Sequence, residues 1–196
     1  MPSTSENNKE RFNRWAATYD QSVWQRWFFG PVHSKMLEVL DRQKPTGPRL
    51  DIMDVGCGTG RLLRAAAARW PQARFMGIDP AEQMISKARQ SNPGAIFKVA
   101  SAESIPFPDQ SADLVLSSLS FHHWTDQRKS LQEIGRVLRP GGWFCLADHT
   151  VRLSNVFHEK ARNLHQIRAL MKDAGLTVVL SQRMRTRFIL ITLAQK

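Results

Sequence analysis

The stretch Asp54-Val55-Gly56-Cys57-Gly58-Thr59-Gly60 joins an apolar strand signal, Leu50–Val55, to a helix signal, Arg61–Trp70. Glycines let the backbone turn sharply and approach a ligand, and the first N–H groups of the helix point into the same space. We therefore expect a nucleotide-like ligand here. The spacing is G-x-G-x-G rather than the G-x-G-x-x-G of dinucleotide folds. Asp54, beside the turn, disfavours a pyrophosphate and favours a ligand that carries an ammonium group.

Strand and helix signals alternate after this turn. Such alternation indicates βαβ units, and therefore an α/β fold whose parallel sheet is covered by helices on both faces. Only Arg183–Thr186 separate the last two strands, so we expect these strands to pair antiparallel. Arg139–Gly142 is predicted as a turn. Strands are predicted at Leu50–Val55, Ala73–Ile78, Ile96–Val99, Ala112–Ser117, Trp143–Asp148, Leu176–Gln182 and Arg187–Ala194, and helices at Arg61–Trp70, Glu82–Gln90, Asp126–Leu138 and Lys160–Ala174.

A helical segment precedes the first strand. Apolar residues recur at spacings of three and four from about Lys9 to Leu40, and the prolines and glycine of Gln43–Pro48 end this pattern. We predict a single domain in two parts. Residues 1–45 form an N-terminal helical segment, and residues 46–196 form the ligand-binding part.

Aromatic residues are concentrated in the N-terminal segment. Seven of the seventeen aromatic side chains lie between residues 12 and 29. Packing of amphipathic helices against the core explains such a cluster. The alternative is a lid in which Trp15 and Tyr19 close over the ligand and attract a cation through their ring faces.

The composition excludes several classes of protein. Of the 196 residues, 42% are hydrophobic and 23% are charged, which is typical of a globular domain and not of a disordered chain. No run of about 18 apolar residues occurs, and we expect neither a membrane-spanning nor a secreted protein. Cys57 and Cys145 are the only cysteines, too few for a disulfide framework. A cytoplasmic location is expected.

Positive charge is concentrated at the end of the chain. The net charge is +11, and residues 151–196 hold nine basic and two acidic side chains. Such a surplus attracts nucleic acid, anionic lipid or an acidic small molecule, or is a solvated basic surface. No stacking aromatic residue separates Arg183, Arg185 and Arg187. Nucleic acid is therefore the less favoured partner.

A second carboxylate follows the second predicted strand. Asp79 ends the run Gly77-Ile78-Asp79 and lies nineteen residues after Gly60. An acidic residue at this place can accept two hydrogen bonds from the hydroxyls of a ribose. Its position before Pro80 also allows a second interpretation, in which Asp79 caps the next helix.

Five segments resemble, in order and spacing, the motifs of class I S-adenosylmethionine-dependent methyltransferases. The likeness is greatest to the branch of quinone-biosynthesis and related small-molecule enzymes, methyltransferase type 11. It implies a Rossmann-like seven-stranded sheet of order 3-2-1-4-5-7-6 with strand 7 antiparallel. It also implies an N-terminal helical lid and S-adenosyl-L-methionine as the cofactor. The segments are Asp54–Gly60, Gly77–Asp79, Ser101–Asp109, Ser117–Trp124 and Arg136–Gly142, and Phe12–Asp20 is similar to an N-terminal segment of that branch.

The resemblance also implies which residues hold the cofactor. Many members have an aspartate where this chain has Ser101, so either Ser101 or Glu103 would accept from the adenine amino group. The implied residues are Asp54, Gly56, Gly58 and Gly60 for the methionine part, Asp79 for the ribose, Ser101, Ala102 and Glu103 for the adenine, the backbone of Ser117 for the methionyl amine, and Tyr19 in the lid.

Two adjacent histidines follow the fourth predicted strand. His122 and His123 are candidate general bases, because an acceptor that loses a proton needs a basic group nearby. His122 is preferred, since its counterpart in the family that the chain resembles faces the site. The alternative is that one of the pair only hydrogen-bonds within the fold. We expect no metal site, because two neighbouring histidines without a third ligand bind a metal poorly.

Two functions remain open at this point. The first is methyl transfer from S-adenosyl-L-methionine to a small-molecule acceptor by in-line displacement. The basic C-terminal quarter could then contact an anionic or lipid-like acceptor. The second is an RNA-directed methyltransferase, or a nucleic-acid-binding protein, that uses the same basic quarter. The sequence favours the first, because it contains no added RNA-binding module.

Overall fold

The architecture is built from alternating strands and helices. The structure is a computed structural model, which describes residues 4–16, 25–43, 49–150, 162–184 and 188–196. Its helices are α1 (Thr4–Trp15), a π-helix (Gln25–Phe29), α2 (Gly30–Asp41), α3 (Arg61–Ala67), α4 (Glu82–Ser91), a 3₁₀-helix (Phe121–His123), α5 (Gln127–Val137) and α6 (Leu164–Asp173). Its strands are β1 (Asp51–Val55), β2 (Arg74–Asp79), β3 (Ile96–Val99), β4 (Ala112–Ser118), β5 (Leu138–His149), β6 (Thr177–Arg183) and β7 (Ile189–Gln195).

The strands form one seven-stranded sheet of order β3-β2-β1-β4-β5-β7-β6. The first five strands run parallel, and β7 pairs antiparallel with both β5 and β6. The predicted order and the antiparallel seventh strand are therefore confirmed. Because the parallel strands point the same way, the loops that follow β1, β2, β3 and β4 meet at one edge of the sheet.

The two faces of the sheet are covered by different helices. Ile52 and Met53 are adjacent on β1, but each belongs to a different buried apolar cluster, as expected from the two-residue period of a strand. The first cluster includes residues of α2, α3 and α4. The second includes residues of α5 and α6. The prediction of helices on both faces is confirmed.

The predicted turn at residues 139–142 is incorporated into a strand. β5 begins at Leu138, but its register with β4 shifts between the pairs Ala112↔Leu138 and Leu114↔Trp143. The intervening residues bulge out, with φ of 77° at Gly141, a conformation that glycine adopts without strain. The prediction of a plain turn was wrong, because β5 pairs with β4 both before and after the bulge.

Local capping sets two helix starts. The Asp126 side chain accepts from Lys129 N–H at 3.0 Å and begins α5. Asn163 and Gln166 form a reciprocal capping box at the start of α6, so this helix begins later than the predicted Lys160. Within the described ranges, no helix combines the length and the apolar character that crossing a membrane requires.

Candidate active site

The glycine turn between β1 and α3 has a backbone that favours glycine. The φ angles are 78° at Gly56, 51° at Gly58 and 76° at Gly60, all in the left-handed region. Gly56 N–H donates to the Ile78 carbonyl at 2.9 Å, which ties the turn to the end of β2. A Cβ atom at position 56 would lie 2.4 Å from Ser120 Oγ. A larger residue would therefore displace the loop that follows β4.

Two carboxylates lie at this turn, and burial affects both. Asp54 is 2% exposed, and its Oδ1 has no hydrogen-bond partner among the described residues. Burial, followed by the charge of Asp79, raises the pKa of Asp54 to about 8. Burial also raises the pKa of Asp79 to about 6, against the opposing effect of two backbone N–H donors. The site is therefore suited to a cationic ligand, which would restore both carboxylates to their ionised form.

Asp79 supports the turn as well as facing the ligand space. Its Oδ2 accepts from Gly58 N–H at 3.0 Å, and its Oδ1 accepts from Ala81 N–H at 2.9 Å. The cap residue of α4 is Ala81 and not Asp79. Each carboxylate oxygen has a second lone pair that remains available to a hydroxyl donor.

A cavity of about 430 Å³ opens at the carboxyl ends of the parallel strands. This is the crevice in which open α/β sheets bind their ligands. Its walls come from α1, the π-helix and the loops after β1, β2, β3 and β4. The lining residues are Lys9, Phe12, Phe29, Gly56, Gly58, Asp79, Pro80, Met84, Ala100, Ser101, Ala102, Glu103, Ser118, Leu119, Ser120, His123, Trp124 and Thr125.

A smaller space of about 40 Å³ lies behind the glycine turn. Asp54 and Arg61 line it together with His33, and it shares Gly56 and Gly58 with the larger cavity. Burial, followed by the nearby charges of Arg61 and Arg64, lowers the pKa of His33 to about 4. His33 is therefore neutral at pH 7. Arg61 is the cation of this space, and Asp54 becomes its anion when a cationic ligand releases the proton that burial keeps on the carboxyl group.

The two predicted histidines differ in their surroundings. His123 lines the large cavity, and its ring centroid lies 5.3 Å from that of Phe12. The side chain of His122 is only 3% exposed, and its Nδ1 lies 2.6 Å from Oδ1 of Asp148. His123 is thus the histidine of the pair that borders the large cavity.

A third histidine adds a cluster that the sequence analysis missed. Ligand atoms of His122, Asp148 and His149 lie within 4.8 Å of one another. However, Asp148 Oδ1 already accepts from His149 N–H at 2.6 Å and lies 2.6 Å from His122 Nδ1. These atoms are closer than two ligands on one tetrahedral metal, which lie about 3.4 Å apart when each bond is about 2.0–2.2 Å. The geometry is that of a hydrogen-bonded cluster.

The N-terminal helix closes one side of the cavity. Lys9 and Phe12 of α1 line it, and Asn13 Oδ1 accepts from Gln83 N–H at 3.0 Å at the start of α4. Trp15 is 51% exposed and packs edge-on against Phe12. Within α1, therefore, Phe12 rather than Trp15 faces the ligand space.

The comparisons with known proteins agree with this geometry. Residues 53–146 match the Methyltransferase domain family of type 11. Over 135 residues, which are 68% of this chain and 46% of the relative, the chain is 36% identical to malonyl-[acyl-carrier protein] O-methyltransferase of Hahella chejuensis. It is 26% identical to the ubiquinone/menaquinone biosynthesis C-methyltransferase UbiE of Campylobacter jejuni, over 85% of this chain and 74% of that protein.

This chain belongs to the class I S-adenosylmethionine-dependent methyltransferases. The fold of an S-adenosylmethionine-dependent methyltransferase from Aquifex aeolicus superposes with a TM-score of 0.75 at 19% identity, covering 93% of this chain and 97% of that one. The chain spans about half the length of the first curated relatives it matches, between 46% and 51%. S-Adenosylmethionine is the cofactor of this methyltransferase family.

The residues present fit that cofactor. Its sulfonium and ammonium groups are cationic, and Asp54 offers a buried carboxylate with an unpartnered oxygen. Gly56 and Gly58 line both spaces beside this carboxylate, and they leave the turn without side-chain bulk. Asp79 retains acceptor capacity at the end of β2. The methyltransferase fold thus combines its glycine turn with two acidic groups at neighbouring strand ends.

The segment implied for adenine binding is at the cavity, but its carboxylate is engaged. Ser101, Ala102 and Glu103 all line the wall. Glu103 Oε1 accepts from Thr125 N–H at 2.7 Å and from Asp126 N–H at 3.1 Å. Burial alone would raise the pKa of Glu103. These hydrogen bonds, together with one from the Ser101 hydroxyl, outweigh burial and lower the pKa. Glu103 therefore anchors the loop before α5, and adenine recognition by Ser101 or Glu103 stays a prediction.

The remaining predicted residues have less direct positions. Ser117 is fully buried, and its Oγ lies 2.8 Å from Ser120 Oγ. Gly60 caps α3. Tyr19 lies outside the described residues, as do Arg185 and Arg187, and Arg183 Nη1 lies 3.5 Å from Thr150 Oγ1.

Several residues of the site were not found from the sequence. Lys9, Phe29 and Arg61 border the two spaces, and Asp148 holds His122. A signal for Asp148 was available, because it ends the predicted fifth strand next to the strand that precedes His122. Lys9 and Phe29 carry no motif, since their place depends on how the N-terminal helices pack.

Proposed function

We propose that this chain transfers a methyl group from S-adenosylmethionine to a small-molecule acceptor in the cavity of about 430 Å³. The observation that carries this proposal is the buried Asp54 carboxylate, which has an unpartnered oxygen beside the glycine turn. A buried carboxyl group without a partner is costly, and burial raises its pKa. A fold that retains one at a ligand cavity is suited to a cationic ligand.

Each part of the cofactor has a corresponding set of residues. Asp54 accepts from the ammonium group, and Arg61, in the same small space, supplies a cation for the methionine carboxylate. Asp79 accepts from the ribose hydroxyls. Ala102 and Met84 give the adenine an apolar wall. The cofactor, when bound, supplies a methyl group activated by a sulfonium.

The acceptor side of the cavity is apolar with a cationic border. Phe12, Phe29 and Leu119 give it apolar surface, while Lys9 and His123 are its ionisable groups. We infer an acceptor with an apolar body and an anionic group. The names of two relatives refer to malonyl-[acyl-carrier protein] and to ubiquinone/menaquinone biosynthesis. A malonyl group has the anionic character that we infer for the acceptor.

The role of the protein in methyl transfer is mainly alignment. Holding acceptor and cofactor in line, with water excluded, supplies much of the acceleration of such a reaction. His123 takes the proton of an acceptor that must lose one, since it borders the cavity.

Two buried free cysteines are consistent with a cytoplasmic location.

A screen with radiolabelled cofactor tests this function. The chain is incubated with S-[methyl-³H]adenosylmethionine and pools of small carboxylates, phenols, acyl carrier proteins and RNA, and label transfer is measured. We expect transfer to a small anionic acceptor by the wild type but not by Asp54→Asn. Transfer to RNA alone, or no binding of the cofactor in calorimetry, would contradict the proposal.

A further inference from the structure

A buried carboxylate outside the cofactor turn is held entirely by groups of the chain. Asp148 is 2% exposed and lies near the carboxyl end of β5. Its Oδ2 accepts from His122 N–H at 2.9 Å, and its Oδ1 accepts from His149 N–H at 2.6 Å. Burial alone would raise its pKa, but the charge and hydrogen bond of His122, with help from His149, lower it. Asp148 is therefore an ionised carboxylate inside the fold.

This carboxylate fixes the imidazole of His122. The Nδ1 of His122 lies 2.6 Å from Asp148 Oδ1, and an ionised carboxylate can only accept a hydrogen bond. The Nδ1 atom must therefore carry a proton. In the neutral ring the unprotonated nitrogen is then Nε2, so Asp148 determines both the tautomer and the orientation of His122.

The contact continues from His122 to the cavity wall. The ring centroids of His122 and His123 are 4.0 Å apart with an interplanar angle of 50°. On its other side, the His123 ring meets Phe12 edge-on at 5.3 Å. Asp148, His122 and His123 thus form a continuous series from a buried charge to the cavity.

Sheet topology explains why these residues meet. β4 and β5 are parallel neighbours, paired up to Ser118↔Ala147, and Leu119 N–H donates to the Ala147 carbonyl at 2.8 Å. The 3₁₀-helix after β4 therefore begins next to the end of β5. Among the described residues, the His149 ring lies 5.2 Å from that of His122, and Lys9, Asp79 and Glu103 are the charged or titratable residues that line the cavity together with His123.

We propose that Asp148 is a positioning residue for methyl transfer, which fixes His123 at the cavity wall through His122. It also places a negative charge behind the two rings. When His123 takes the acceptor proton, the resulting imidazolium is stabilised by that charge. The role of His123 rests on the proposed function, but the arrangement of Asp148 and His122 does not.

The first test needs no acceptor. In protein labelled with ¹⁵N-histidine, two-bond proton–nitrogen spectra should show His122 with its proton on Nδ1. In Asp148→Asn this signature should change to a mixture of the two tautomers. An amide NH₂ group at the Oδ1 position would donate to His122 Nδ1 and move the ring proton to Nε2, whereas in the flipped orientation the NH₂ group would meet the His122 backbone N–H. A wild-type His122 with its proton on Nε2 would overturn the proposal even if methyl transfer is established.

The second test separates positioning from folding. His122→Asn keeps an N–H donor for Asp148 but removes the ring that contacts His123. His149→Gln is the matched control, since its backbone N–H still donates to Asp148. We expect Asp148→Asn and His122→Asn to bind S-adenosylhomocysteine within twofold of wild type in calorimetry. Turnover on the acceptor from the label screen should fall about tenfold or more, while His149→Gln retains it.

Two results of these measurements would overturn the proposal. One is full turnover by a folded His122→Asn variant, because the contacts from Asp148 through His122 to His123 would then have only a structural role. The other is one equivalent of tightly bound zinc in the purified wild type that is lost from Asp148→Asn. That result would make His122, Asp148 and His149 a metal site.

Discussion

Replacing Asp54 by asparagine should stabilise the ligand-free protein at neutral pH while abolishing cofactor binding. The asparagine side chain has nearly the same shape as that of aspartate but carries no charge. In the wild type, burial raises the pKa of Asp54 to about 8, so the folded state holds a proton that the unfolded state has released. A raised carboxyl pKa means that the fold loses stability as the pH rises from the unfolded value of about 4 towards 8.

The size of this effect follows from the pH interval. Between pH 5 and pH 7 the folded form keeps its proton and the unfolded form does not, and each pH unit costs about 1.4 kcal/mol. The difference in unfolding free energy between Asp54→Asn and wild type should therefore grow by about 3 kcal/mol over this interval. The difference should favour the variant at pH 7 and be smaller at pH 5, where only about one pH unit above the unfolded pKa has contributed.

Urea denaturation at the two pH values measures this difference. Glu82→Gln is the control for removing a carboxylate near the site, because Glu82 is exposed on α4. The difference in unfolding free energy between this control and wild type is the baseline against which the Asp54→Asn difference is compared. Calorimetry in phosphate and in Tris should show that S-adenosylmethionine releases about one proton on binding to the wild type at pH 7.

Two results would refute this reasoning. If Asp54→Asn differs from wild type by the same amount at pH 5 and pH 7, burial does not hold a proton on Asp54. If the variant binds S-adenosylmethionine as tightly as the wild type, the carboxylate does not contact the ammonium group. The two results are independent, since the first concerns the free protein only.

Four further outcomes are expected. Asp79→Ala should weaken S-adenosylmethionine binding by at least ~1.5 kcal/mol in calorimetry, because it removes a charged acceptor; unchanged affinity would exclude the ribose role. Gly56→Ala should unfold at lower urea, since its Cβ would lie 2.4 Å from Ser120 Oγ, whereas Gly94→Ala meets nothing within 4 Å and should be tolerated. His123→Gln should lower turnover about 10²-fold with cofactor affinity unchanged, and wild-type turnover would leave alignment as the whole mechanism. RNA binding should be weak, and for each phosphate neutralised its association constant should fall by about 0.7 log units per tenfold rise in salt concentration. A defined RNA that is bound and methylated at physiological salt would favour the alternative function.

The parallel part of the fold could be predicted because its signals are local. The run from Leu50 to Arg61 contains a strand, a glycine turn and a helix start within twelve residues, and each part has its own chemical reason. The bulge at residues 139–142 could not be predicted, because a Pro-Gly-Gly sequence is equally typical of a turn. Whether pairing resumes beyond it depends on the neighbouring strands.

What could be predicted of the site from the sequence was limited for the same physical reason. Asp54 and Asp79 lie at the carboxyl ends of the adjacent strands β1 and β2, so their proximity follows from strand order. The choice between His122 and His123 does not, because neighbouring residues in a 3₁₀-helix point in different directions. It is set by Asp148, which is 26 residues from His122 in the chain and meets it only through the pairing of β4 with β5.

Three buried aspartates show how the surroundings of a carboxylate reveal its task. Asp51 pairs with the guanidinium groups of Arg74 and Arg139, and Asp148 pairs with His122. In both cases the partners lower the pKa of the carboxyl group, although burial alone would raise it. Asp54 is as deeply buried, yet one of its oxygens has no partner in the described chain, and its pKa is raised. A carboxylate satisfied internally stabilises or orients the fold, whereas the compensation for Asp54 has to come from a cation bound at the glycine turn. Cofactor binding and stability of the free protein are therefore opposed at this one residue.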